Sequence, residues 1–560
     1  MKRILVSTAA LAAAVVILVA IVLPPARIEL TTSRGDDTVP GIIHVHTRRS
    51  DGRGTPDDIA KAAARQGLKF VVFTDHGDGT REPEAPVYRS GVLCLDGVEI
   101  STTDGHYVAL GMKAAQYPLN GEARDVIEDV RRLGGWGVVA HPESPKPGLS
   151  WRAWDTPFDA IEWANPDTSW RVRVRQSRWD ILEALAAYPF RSAETMARLI
   201  GGTTLDPARW NRLVERRRVV IVAGADAHAR LGFGTSDPGD NDLSLPIPGY
   251  DVSFRTLSIH VQPERSFTGD ATSDATSLLE GLRRGHAYVA IDGLASPPEF
   301  RFTGSNGREV VAAGDELPGG NTTLTIVSNA PPAWTTNLWS GDRIVASARS
   351  SAPLTYRTDS PGIYRATVAT SADATMPWIV SNPIYVGVSF PAPSPLQRAA
   401  VATRVLVDGR TTSGWWTEHD PASVAVLDWA TTADSHALRL GYELRGGSPS
   451  GQFVALAVKA PAGPAYERVK FSVRGERSGR LEVQVRGPIP PAERWQRSFY
   501  FDQTDRAYSV DFTEMTPIGP SPVRRPSPTD VRDILFVIDT THTAPGASGR
   551  LWITSPVLEK

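Results

Sequence analysis

Between residues 41 and 228, short apolar runs end again and again in a histidine or a carboxylate. Gly41-Ile42-Ile43-His44-Val45-His46 reads as a buried strand, and Phe70-Val71-Val72-Phe73-Thr74 as the next, ending in Asp75-His76. Val98-Glu99-Ile100, Gly137-Val138-Val139-Ala140, Ala160-Ile161-Glu162 and Val219-Val220-Ile221-Val222-Ala223 continue the series. Helical patterns separate them. Thr55-Pro56-Asp57-Asp58 opens one, with Thr55 as N-cap, proline in the first turn and two acids facing the helix dipole. Strand and helix in alternation predict a parallel sheet, here one closed into a barrel. The stretch from Trp151 to Arg218 is longer than one crossover needs and is expected to form helices over the barrel mouth.

Six of the 11 histidines fall at these strand ends. His44 and His46 lie two apart, on one face of a strand. Asp51-Gly52 follows in the next loop, His76 ends the second strand, and His106 comes after Asp104-Gly105. His141 precedes Pro142, and Asp226-Ala227-His228 forms another i, i+2 pair. One histidine after a strand is commonplace, but six with acids, all at strand termini in one region, predict a metal site at the barrel mouth. His260, His286, His419, His436 and His542 lack this context and read as structural or exposed.

The ordered set H-x-H, Asp-Gly, Thr-Asp-His, Gly-x-Glu-Ile, Gly-His, Ala-His-Pro and Gly-x-Asp-x-His resembles the PHP (polymerase and histidinol phosphatase) family over roughly residues 38 to 295. The resemblance implies a distorted (β/α)7 barrel and a metal-dependent phosphoesterase with two or three divalent ions. It implies a first ion on His44, His46, Glu99 and Asp226. A second would share Glu99 and add His106 and His141, and a third would take Asp51, His76 and His228. Mixed imidazole and carboxylate ligands suit Zn, Mn or Fe better than Mg or Ca. A bridging carboxylate would hold two ions at the ~3.5–4 Å of two-metal sites, where a shared water loses a proton near neutral pH and attacks phosphorus in line. Asp75 is assigned as a partner orienting a ligand histidine or as a proton acceptor, and Arg48 as a holder of substrate phosphate. Arg171, Arg173, Arg175 and Arg178 read as a solvated basic face. Hydrolysis of a non-phosphate ester or amide is an alternative, and so is a non-catalytic glycan-binding protein with a relic metal site.

The remaining segments frame this region. Lys2 and Arg3 precede an uncharged apolar run from Ile4 to Leu23, and about 20 such residues span a bilayer as a helix. Residues 1–30 are therefore expected to be a signal anchor, leaving the rest membrane-anchored and extracytoplasmic (periplasmic or cell surface), or secreted if the segment is cleaved. The single cysteine, Cys94, rules out an internal disulfide and reads as a buried thiol. A formal net charge of -2 argues against a nucleic-acid partner. Beyond residue 298 short alternating strands with Pro/Gly turns replace the helical patterns. They suggest an Ig-like β-sandwich at 299–388 and a Pro-rich linker at 389–399. By Val537-Ile538-Asp539-Thr540, Pro545-Gly546-Ala547-Ser548-Gly549 and the closing run from Leu551 to Leu558, residues 400–560 resemble a galactose-binding-like jelly roll. The expected substrate of the 38–298 barrel is a small phosphoester or phosphorylated glycan. For the jelly roll, carbohydrate binding and a purely structural role stand side by side. Of Trp415-Trp416, at least one is expected in the core, because adjacent strand residues face opposite ways.

Overall fold

The computed structural model describes residues 22–32, 37–232, 244–350, 352–371, 374, 376–390, 400, 402–407, 410–431, 436–446, 451–461, 465–488, 493–519 and 523–560. Most of the expected anchor, through Ile21, and most of the expected linker, Pro391 to Ala399, lie outside them. Among the described residues no helix is long and apolar enough to cross a membrane. The protein is mostly β, with eight α-helices among the described residues. It divides into two compact units. One comprises residues 1–78, 82–113 and 122–392, and the other residues 79–81, 114–121 and 393–560.

In the first unit, β1 (Val39–Val45), β2 (Phe70–Phe73) and β3 (Val92–Asp96) pair in parallel. β4 (Val98–Thr102), β5 (Gly105–Leu110) and β6 (Trp136–Val139) follow, and β7 (Ala160–Ala164) and β8 (Val220–Ala227) return in parallel to β1. The expected all-parallel alternation is broken in the middle, because β4–β5 and β5–β6 are antiparallel. Only Thr103 and Asp104 join β4 to β5, and a connection that short can only reverse the chain. Asp75 and Gly77 exchange backbone bonds with Glu99 at 3.1 Å each, which joins the end of β2 to β4. Ile43, Phe70, Val72, Leu93, Val108, Val138 and Val222 belong to one apolar core beneath the strand ends.

The helix α1 (Pro56–Arg65) begins as its sequence dictates. Thr55 accepts from the Asp58 amide, and the Asp58 carboxylate accepts from the Thr55 amide. Between β7 and β8 lie α3 (Pro166–Gln176), α4 (Arg178–Ala187), α5 (Ser192–Ile200) and α6 (Pro207–Val214), after α2 (Ala123–Arg132).

β9 (Ser258–Val261) pairs antiparallel with β1 and with β10 (Ala287–Ala290). β10 in turn pairs with Ile379–Ser381, so the sheet passes without a break into the segment beyond residue 298. The Asn382 side chain ties this junction: its oxygen accepts from Ile221 N at 2.8 Å, and its nitrogen donates to Ile221 O at 3.2 Å and Ala287 O at 3.1 Å. Residues 299–388 have a core of their own around Phe302, Leu338 and Trp378, but Tyr288 and Ala290 of β10 are part of it. A separate four-stranded sheet covers its other side, built on Phe300–Ser305 and Thr322–Ser328.

Among its described residues the second unit has two six-stranded antiparallel sheets around one core that includes Leu438, Leu456, Val483, Phe536 and Ile553. Trp415 is buried in that core, while Trp416 is half-buried, with its indole N–H on Glu418 at 2.9 Å.

Candidate metal centre

Nine side chains from six strand ends and one loop meet above the core of the first unit. Their potential ligand atoms form four overlapping groups: His46, Asp51, His76 and His228; His44, Glu99 and His141; His44, His46 and Asp226; and His76, Glu99 and His106. Glu99 is central. One oxygen lies 2.8 Å from both His106 Nδ1 and His141 Nε2; the other lies 3.2 Å from His44 Nε2 and His46 Nε2 and 3.3 Å from His76 Nδ1. Asp226 Oδ1 is 3.4 Å from His44 and 3.5 Å from His46 and His228. Asp51 reaches His228 at 3.1 Å and His46 at 3.4 Å.

The period-two reading of His44 and His46 is too simple. The pairing of β1 with β2 shifts register between Ile42 and Val45, and His44 sits at φ 64°. β8 shifts likewise between Gly224 and Ala227, with Asp226 at φ 47°, and His141 lies at φ 31°. Three of the nine thus have a left-handed backbone that non-glycine residues rarely adopt, at about 1–3 kcal/mol each. Bulges of this kind turn side chains that would otherwise alternate towards a common point.

Electrostatics agree with a cation site. Burial alone would raise the Glu99 pKa, but His44, His76 and His106 hold it well below the usual carboxylate range. Asp226 is held down by His44 and its neighbours against the same burial effect, and Asp51 is lowered to about 2 against burial by His228. Burial would depress His44, yet Glu162, Glu99 and Asp226 outweigh it and keep the imidazole well above its ordinary value. Four buried atoms that face this centre have no hydrogen-bond partner: His44 Nε2, His46 Nε2, Asp51 Oδ1 and Glu99 Oε2. Buried polar atoms are almost always satisfied, and imidazole nitrogens and carboxylate oxygens pointing at one another without a bond are the donor set of a transition-metal ion. The residues fit such ions.

Other side chains hold these in place, and sequence reasoning missed most of them. Glu162, on β7, accepts from His44 Nδ1 at 2.5 Å, from the His141 amide at 2.6 Å and from Asn165 at 2.8 Å. Its room comes from Gly224, where a Cβ would stand 1.8 Å from Glu162 Oε1. The Leu149 carbonyl accepts from His141 Nδ1 at 3.1 Å. A conspicuous glutamate ending the Ala160-Ile161-Glu162 run was the available signal for the first of these.

Asp75 acts one step removed from the cluster. It accepts from the Thr47 amide, the Thr47 hydroxyl and the Ser50 hydroxyl at 2.7, 2.8 and 2.7 Å, and Ser50 Oγ lies 3.4 Å from His46 Nδ1. Arg48 is exposed, with Nε bound to the Arg53 carbonyl at 2.6 Å, and is not brought into the cluster. Arg171 is not the solvated residue its sequence context suggests. It is half-buried and pairs with Asp167 at 2.5 Å. Burial lowers its pKa, but Asp167 and, further off, Asp226 raise it overall. Beside Asp226 and His228 opens a cleft walled by Trp170, Leu185, Tyr188, Met196 and Leu199.

No family model matches the chain. An uncharacterised protein of Methanocaldococcus jannaschii is 29% identical over 134 residues, 21% of this chain and 78% of that one. A 3',5'-nucleoside bisphosphate phosphatase of Chromobacterium violaceum is 32% identical over 102 residues, 16% of this chain and 36% of that enzyme. The chain therefore spans about a third of the phosphatase's length. Among solved structures, a family 11 carbohydrate-binding module from Clostridium thermocellum, in complex with a mixed-linked tetrasaccharide, is similar at 12% identity and a TM-score of 0.24. That match covers 29% of this chain and 97% of the module. A mannan-recognising module, TmCBM27, matches at 14% identity and a TM-score of 0.21, covering 29% and 97%. Likeness at that level carries no statement about ligands.

Proposed function

We propose that the first unit is a metal-dependent phosphoesterase of the PHP type, with its hydrolase region at residues 38–298. The observation that carries this reading is the set of four unpartnered buried ligand atoms at the meeting point of nine histidines and carboxylates. The partial similarity to a bisphosphate phosphatase supports phosphate as the group attacked. Two or three Zn, Mn or Fe ions are proposed, and His44, His46, Asp51, His76, Glu99, His106, His141, Asp226 and His228 would hold them.

When bound, such ions supply Lewis acidity towards the phosphoryl oxygens and acidify the attacking water. The chain's own residues do the rest. Glu162 keeps the His44 proton on Nδ1, so that Nε2 offers a lone pair. Asp75 fixes the 47–50 turn and, through Ser50, the ring of His46. Arg171, near Asp226, is proposed to meet a substrate phosphate in place of Arg48. The apolar Ile4–Leu23 run supports a membrane-anchored, extracytoplasmic setting.

Elemental analysis after purification without added metal, followed by a panel of phosphomono- and diesters that includes a 3',5'-bisphosphonucleoside, tests the reading. Two or three ions per chain and turnover of at least one ester are expected. At most one ion per chain after reconstitution with Zn, Mn and Fe would remove the polynuclear site. Full loading with no turnover on any ester would remove the phosphoesterase.

A further inference from the structure

Next to the ligand cluster the first unit exposes an apolar surface that hydrolysis of a water-soluble ester does not require. Trp179 is 75% exposed, Phe190 66%, Leu182 55% and Leu185 50%. On α4, Trp179, Leu182 and Leu185 recur at a helical interval and form one solvent-facing stripe, while Ala184 and Ala187 are buried beneath it. Asp180 and Glu183 of the same helix pair with Arg173 and Arg198, and a contiguous exposed patch of large apolar side chains marks a place of interaction.

The stripe leads into the site. Leu185 also walls the cleft whose other side is Asp226 and His228, so apolar surface continues from α4 to two of the candidate ligands. The end of the Ile4–Leu23 run lies on the same group of helices. Arg198, on α5, donates to the Val22 carbonyl at 3.0 Å, and Arg191 donates to that of Pro24. Arg175 and Arg178 are exposed next to Val174 and Trp179. Exposed tryptophan and leucine beside arginine suit a bilayer surface, where aromatic rings sit at headgroup level and cations meet lipid phosphates.

We infer that the substrate is a membrane amphiphile, a phosphoester on a hydrocarbon chain, whose headgroup reaches the Asp226–His228 side of the cluster while its chain lies in the cleft. The α4 stripe rests in the bilayer that supplies it. The headgroup chemistry rests on the phosphoesterase reading; the bilayer contact rests on the patch and on where the apolar run ends.

The test uses the full chain in phospholipid vesicles. Cys94 is buried, and burial pushes its thiol up to about 11, so a fluorophore goes to a single new cysteine at Leu182→Cys, or at Val310→Cys, 74% exposed, as the control. Lipids with brominated acyl chains should quench the label at 182 and leave that at 310 bright. Equal, weak quenching at both positions overturns the bilayer contact and points to a protein partner instead. In a second arm, Trp179→Glu with Leu182→Glu should lower turnover of dodecyl phosphate in vesicles by about ten-fold or more, the scale expected when apolar anchors become charged. Turnover of p-nitrophenyl phosphate in solution should change by less than about two-fold. Equal losses on both esters, or none on the alkyl ester, overturn the substrate assignment. If the parent hydrolyses neither ester, the assignment of an alkyl phosphomonoester substrate fails, the phosphoesterase reading is decided by the full ester panel, and the quenching result stands on its own.

Discussion

Glu162→Gln is the sharpest probe of how the centre is held. The carboxylate receives three bonds, from His44 Nδ1, the His141 amide and the Asn165 side chain, at 2.5, 2.6 and 2.8 Å. A glutamine keeps the shape but turns one acceptor oxygen into a donor. If the amide nitrogen faces His44, two donors meet, and the imidazole must move its proton to Nε2, the atom that points at Glu99 and Asp226. If it faces His141, the backbone N–H there loses its acceptor. Either outcome removes one charge-assisted bond, about 1.5–3 kcal/mol, which is about a 10–100-fold loss of metal affinity and matches what such supporting partners contribute elsewhere. The assay is competition for Zn with a chromophoric chelator, with circular dichroism to confirm the fold. An affinity within about two-fold of the parent would refute the claim that Glu162 sets the His44 tautomer.

Glu99→Gln should reduce metal content at more than one position and lower turnover by at least the roughly 10²–10³-fold that follows loss of a strong transition-state stabiliser. His76→Ala should cost one ion; metal counts and turnover on both variants separate the two. Gly224→Ala forces a Cβ to within 1.8 Å of Glu162 Oε1 and should destabilise the apo-protein by about 1–3 kcal/mol in urea unfolding. His260 is buried against Tyr288, and burial lowers its pKa to about 3. The unfolded chain binds that proton below about pH 6.5 and the folded chain does not, so this contribution is present above pH 6.5 and shrinks as pH falls. Relative to His260→Phe, the parent should lose about 2 kcal/mol more between pH 7.5 and 5, read as the difference between their urea midpoints at each pH.

Histidines at strand ends were legible because the residue type is scarce and the strand ends are easy to see. All nine side chains fall into four overlapping groups whose ligand atoms lie within reach of one another, and their role as ligands is what the metal analysis decides. Glu162 lies in the middle of β7, and nothing local in a strand carboxylate records which histidine of another strand it will face. Asp104-Gly105, beside His106, is also a tight-turn signal, and a hairpin there replaces the expected crossover. Arg171 looked like one member of a charged run, and only the packing of α3 beside Asp226 distinguishes it. The bulges at His44 and Asp226 depend on register between strands far apart in the chain, and no local pattern records register.

The pairing of β10 with Ile379–Ser381 has a consequence for how this protein can be rearranged. An exon boundary or an engineered fusion at residue 298 looks harmless in the sequence, but it would strip a sheet edge of its neighbour and leave Ile221 and Ala287 without the Asn382 amide. Ile221 lies in β8, the strand that also presents Asp226 and His228 at its far end. Residues 38 to 388 should therefore be inherited, expressed and cleaved by proteases as one block. A homologue that carried only the first part would need some other strand, from its own chain or a second copy, to occupy that edge.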